Sequence, residues 1–146
     1  VKVLDFGIAK IVGGDGSQET TQTGVLLGTP EYMSPEQAQD MPLDARSDIY
    51  ATGVILYRLL TGRVPFQAKA FMTVLAKHIN EPPLPPSKAN PTRPITPAQE
   101  EVILTCLAKR PEDRYQSADA LAAALRAADD PTAAAVRPPA RPRPVA

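Results

Sequence analysis

Cysteine is almost absent from this chain: Cys106 is the only one in 146 residues. A single thiol excludes an internal disulfide and fits a reducing compartment. Histidine is as scarce, with His78 alone, and no zinc-binding spacing exists. Excess charge of one sign is lacking too, since 16 Lys+Arg balance 16 Asp+Glu. Such a surface has no overall field to draw in nucleic acid or an anionic membrane, and neither is expected as a partner. No apolar run approaches the ~20 residues of a membrane-crossing helix. Val1 is not a start methionine, and no charged-then-apolar leader follows it. The expected setting is cytoplasmic, with membrane anchoring left to segments outside this chain.

Proline, by contrast, is abundant, with 17 residues, 12 of them in two crowds. One lies between Pro82 and Pro97, the other in the tail from Pro131 to Pro144. From about Asp129 the chain is Ala, Pro and Arg with almost nothing large and apolar. That composition buries too little surface to offset ordering entropy, so residues 129–146 read as a disordered linker or tail. A proline-motif ligand and a juxtamembrane spacer are the sharper alternatives. Hydrophobic residues make up 43% of the chain, enough for one globular unit over residues 1–128.

The pattern within that unit is mostly helical. Residues 1–4 read as a short strand, and residues 10–27, rich in Gly, Ser, Thr and Gln, as a mobile surface loop. Ser34-Pro35-Glu36 starts a short helix with a hydroxyl cap and proline at the first position. Asp44 or Ser47 caps a longer helix that ends near Leu60, with Gly62 past its end. Ile49, Val54, Ile55, Leu56, Leu59 and their neighbours cover nearly every face of it, which predicts a central helix buried on several sides. A helix over 68–79 should bury Phe71, Met72, Leu75 and Ile79. Thr96-Pro97-Ala98-Gln99 predicts a capped start to a helix reaching about Ala108. Ser117 caps a last helix, from Ala118 to about Ala128. His78, isolated near a helix end, reads as a surface or cap residue, and Cys106 as core.

Two motifs carry chemistry. Val1-Lys2-Val3-Leu4 runs into Asp5-Phe6-Gly7, and further on comes Gly28-Thr29-Pro30-Glu31-Tyr32-Met33-Ser34-Pro35-Glu36. In this order and spacing they resemble the two ends of the activation segment of a protein kinase. Asp48-Ile49-Tyr50 and the following Leu-Leu-Thr-Gly-Arg-Val-Pro-Phe are similar to bacterial members of the serine/threonine branch. The implied fold is protein-kinase-like, α+β as a whole domain. This chain would supply mainly the α-helical C-terminal lobe, beginning at Asp-Phe-Gly.

The resemblance implies roles residue by residue. Asp5 would bind the Mg²⁺ that bridges ATP phosphates, Phe6 would pack as the plug that sets active or inactive geometry, and Gly7 would give that switch its freedom. Thr29 would hydrogen-bond the catalytic loop, and the loop through Met33 would shape the pocket beside the phospho-acceptor. Thr21 and Thr23 match paired autophosphorylation sites, where added charge orders the loop. Glu36 would pair with Arg114, since a buried carboxylate suits a bidentate guanidinium. Asp48 would hold the catalytic loop, although negative charge in a first helical turn is favourable by itself.

The implied activity is transfer of the ATP γ-phosphoryl to Ser or Thr of protein substrates, the kinase itself among them. No Gly-x-Gly-x-x-Gly and no His-Arg-Asp occurs here. The chain by itself is therefore expected to be inactive and loosely packed. A pseudokinase or scaffold without transfer, and a free-standing interaction module, are the competing readings.

Overall fold

The computed structural model describes residues 29–129. These form six helices: α1 (Pro35–Ala38), α2 (Ala45–Thr61), α3 (Phe71–Asn80), α4 (Pro86–Ala89), α5 (Pro97–Cys106) and α6 (Ala118–Asp129). Short 3-10 turns cover Pro30–Tyr32 and Pro111–Asp113. No strand occurs among the described residues. The strand expected at 1–4, the loop at 10–27 and the tail beyond Asp129 lie outside them.

Helix α2 is the axis. Asp44 caps it by accepting the Arg46 N–H at 2.8 Å, which settles the choice between Asp44 and Ser47. Gly62 ends it at φ 79°, a left-handed conformation that costs glycine little. Tyr50, Val54 and Tyr57, one turn apart, build the larger core with Val64, Ile103 and Leu107. Ile49 joins Val102, Cys106 and Leu121 in a second cluster beneath α6. The two meet where α2 crosses α5. A Cβ on Gly53 would stand 2.5 Å from the Cys106 Cβ, so the crossing depends on the absence of that atom.

Burial of α2 is one-sided rather than all round. Ile55 is 48% and Leu59 64% exposed. The face through residues 50, 54 and 57 packs inward, and no described element covers the opposite one. Helix α3 also differs from expectation. It starts at Phe71, because Ala70 is extended and offers no capping side chain. Its buried face is Val74, Leu75 and His78, while Met72 is 71% exposed.

The remaining helices follow their local signals. Ser34 and Thr96 both head capping boxes, with Gln37 and Gln99 returning the bond. Helix α5 ends at Cys106, two residues short of the expected Ala108. Ser117 accepts the Ala120 N–H at 3.1 Å at the start of α6. The proline-rich connection is ordered by side chains that reach its backbone. Arg63 donates to the Ala89 carbonyl at 2.7 Å, and Glu100 accepts the Ser87 N–H at 2.8 Å.

Candidate functional site

The chemistry-bearing residues of the described region gather where the first 3-10 turn and α1 meet α2, α3 and the turn before α6. Their centre is Arg114. Its Nη1 and Nη2 groups donate to the two oxygens of Glu36 at 2.7 and 2.8 Å. Nε donates to the Ala108 carbonyl, Nη1 also to that of Arg46, and Nη2 also to that of Lys109. All five guanidinium donors thus have acceptors. The guanidinium further stacks 4.9 Å above the Tyr50 ring.

Glu36 is as fully engaged, with the Ser47 hydroxyl donating to Oε1 at 2.7 Å. Burial alone would raise the pKa of this carboxyl. The bonds from Arg114 and Ser47 outweigh it and hold the value at about 2. The pair spans 78 residues and fastens α1 to the turn before α6. Ser47 therefore serves Glu36 rather than the end of α2.

The expected role of His78 needs correcting. It is fully buried, and its Nδ1 lies 2.7 Å from the Tyr50 hydroxyl. The Phe66 ring meets it edge-on at 4.9 Å. Its Nε2 is buried with no hydrogen-bond partner among the described residues, although the Glu31 backbone beside it favours the protonated ring. Burial, helped by the charge of Lys109, lowers its pKa to about 4, so the ring is neutral near pH 7. Position near a helix end suggested a surface residue. The signal in the sequence was its step of four from Val74 and three from Leu75, the face that packs.

Lys109 closes this layer. Its ammonium donates to the His78 carbonyl at 2.7 Å and the Lys77 carbonyl at 3.3 Å, capping α3, and sits 4.4 Å from the Phe66 ring centre. Burial draws its pKa down to about 8. Nothing in the sequence reading singled it out. Cys106 is core as expected, and burial pushes its thiol to about 12.

The other expected site residues divide. Thr29 is exposed, and its carbonyl accepts the Tyr32 N–H at 3.1 Å. Asp48 is exposed in the first turn of α2, its carboxylate without a partner among the described residues. Asp5, Phe6, Gly7, Thr21 and Thr23 lie outside those residues. No group of three or more His, Cys, Asp or Glu among the described residues could hold a metal ion.

A helical assembly around one axial helix, tied by a buried Glu–Arg pair between the end of one motif and a distant turn, defines a class. The family model for the protein kinase domain matches residues 1–125, and the chain belongs to that family. Within it, the chain is similar to serine/threonine-protein kinase pkn3 of Myxococcus xanthus, 52% identical over 130 residues. That match covers 88% of this chain and 24% of the relative. Serine/threonine-protein kinase Pkn1 of the same organism is 50% identical over 128 residues, covering 88% of this chain and 18% of the relative. Probable serine/threonine-protein kinase PknB of Corynebacterium glutamicum is 48% identical over 129 residues, covering 86% and 20%. The chain spans about a quarter or less of the length of these curated relatives.

Proposed function

We propose that this chain is the activation segment and C-terminal lobe of a bacterial serine/threonine protein kinase. The whole protein transfers the ATP γ-phosphoryl to Ser or Thr of protein substrates, including itself. The observation that carries this reading is the buried, bidentate Glu36 and Arg114 pair at the end of Gly28–Glu36. It anchors the loop that would receive the substrate, and it agrees with the names of the bacterial relatives. The kinase portion runs over residues 1–128, and residues 129–146 are a linker or tail. No helix among the described residues is long and apolar enough to cross a membrane. We assign the kinase portion to the cytoplasm, or to the cytoplasmic face of a membrane reached through other segments.

In this reading Asp5 holds Mg²⁺ and Phe6 and Gly7 set its position. When bound, the metal neutralises charge on the ATP phosphates. A lone carboxylate with phosphate oxygens is an ordinary Mg²⁺ donor set. Thr29 orients the catalytic loop, and Asp48, whose exposed carboxylate has no described partner, accepts that loop's backbone N–H groups. Phosphate on Thr21 or Thr23 regulates by ordering the segment. The test is transfer from Mg²⁺-ATP to a protein substrate by the full-length protein. Activity that Asp5→Asn abolishes is expected; undiminished transfer in that variant, or none in the natural protein, would overturn the assignment.

A further inference from the structure

Arg58 sits in the last turn of α2, where a cation is favoured by the helix dipole alone. Its guanidinium does not turn to the helix carbonyls. It reaches sideways and donates through Nη1 to the Tyr32 hydroxyl at 2.6 Å, in the 3-10 turn that leads into α1. The capping is done by others: Arg93 donates to the Leu59 carbonyl and Asn90 to that of Leu60. An arginine has five N–H donors. The remaining ones of Arg58 have no partner among the described residues, and the side chain is exposed.

The surrounding arginines also differ from the others in their partners. Arg46, Arg110 and Arg114 each have a carboxylate at ion-pair distance. Arg58, Arg63 and Arg93 have none among the described residues; their acceptors are a phenol and two backbone carbonyls. These three arginines crowd the C-terminal end of α2, in a chain with no net charge. The nearest carboxylate in sequence to Tyr32, Glu31, turns one oxygen into the protein, where it is buried.

We propose that Arg58, anchored by Tyr32, is a specificity-determining residue that binds an acidic side chain of the protein substrate near its phospho-acceptor. This rests on the kinase reading, which puts the 28–33 loop at the substrate. Tyr32 holds the guanidinium at a fixed place, so little side-chain freedom is lost on binding. The free donors suit a carboxylate, and Arg63 and Arg93 add to the attraction at longer range.

The experiment uses the full-length protein, Mg²⁺-ATP and peptides with one Ser acceptor and Glu, Gln or Arg at each flanking position in turn. At one flanking position at least, the Glu peptide is expected to have a KM roughly tenfold below the Arg peptide, at similar kcat. Arg58→Gln should level that ratio and Arg58→Glu reverse it. Tyr32→Phe should narrow it, and Arg110→Gln, an exposed charge near the N-terminal end of α2, should leave it alone. Charge-blind transfer by the natural protein would overturn the proposal. So would an acidic preference that survives Arg58→Glu. Should Arg58→Glu fail to fold, the ratio in Arg58→Gln decides. Absence of transfer to every peptide would instead overturn the kinase reading on which the proposal stands.

Discussion

A guanidinium with five acceptors is hard to replace. Arg114→Lys keeps the charge but offers three donors in a different shape, and Arg114→Ala leaves Glu36 and three carbonyls without their partner. The expected loss for Arg114→Ala in the full-length protein is ~3–5 kcal/mol, read as a fall in denaturant midpoint, with Arg114→Lys intermediate. Glu36, lowered to about 2, stabilises the fold above its unfolded value of about 4.5; that contribution fades as pH falls towards 2. His78 acts at higher pH. Its folded value of about 4 lies below the unfolded 6.5, so the unfolded chain takes up the proton first. Stability is therefore fully present above about pH 6.5 and falls between there and pH 4, by on the order of 3 kcal/mol. His78→Phe with Tyr50→Phe removes both members of the hydrogen bond, so neither is left unpaired. Thermal unfolding of this double variant should be flat from pH 6.5 to about 5, above the onset of the Glu36 loss, where the natural protein is not. An equal pH slope in both would remove His78 from the account.

The decisive contact between elements is the crossing of α2 and α5. Gly53→Ala would drive a methyl to 2.5 Å from the Cys106 Cβ, with Leu107 at 3.3 Å behind it. Leu107 can yield, but the Cys106 Cβ is bonded directly to the α5 backbone, so the helices must part. The expected cost is ~1–3 kcal/mol by chemical denaturation. Gly62→Ala is the contrasting case: nothing lies within 4 Å of its added Cβ, and the penalty comes only from φ 79°, about 1 kcal/mol. A Gly53→Ala variant no less stable than Gly62→Ala would contradict this view of the crossing. Element existence was legible in the sequence because caps and stops are local: Ser34, Asp44, Thr96 and Ser117 each act within three residues. Element faces were less so. Met72 and Val74 are comparably apolar to a periodicity argument, and only the approach of Tyr50 and Phe66 decides that the Val74 side packs.

Across the whole molecule the uncovered face of α2 matters most. Ile55 and Leu59 are four residues apart and largely exposed, and Leu56, Leu60, Ile103 and Leu125 line a groove of about 390 Å³ beside them. Each large aliphatic side chain left in water forgoes ~1.5–3 kcal/mol. The 146-residue polypeptide in isolation should associate through this face, seen as concentration-dependent light scattering. Ile55→Lys with Leu59→Glu should reduce the scattering without unfolding the helices. A monodisperse monomer of the natural sequence would contradict the expectation.

The division between sequence and tertiary structure follows the range of the forces involved. Helix starts and stops are decided by side chains within a turn of the backbone they serve, so the sequence alone determined them. The motifs around Asp5 and Glu36 likewise announced the family, because their spacing is itself the signal. Which carboxylate Arg114 would meet came only from that resemblance; the pairing itself joins residues 78 apart, beyond the reach of any local pattern. Burial of His78, the sharing of Lys109 between two carbonyls and a ring, and the sideways reach of Arg58 were decided by folding alone. A side chain's partners, charge state and exposure depend on what distant elements bring against it, and a linear pattern carries no record of that approach.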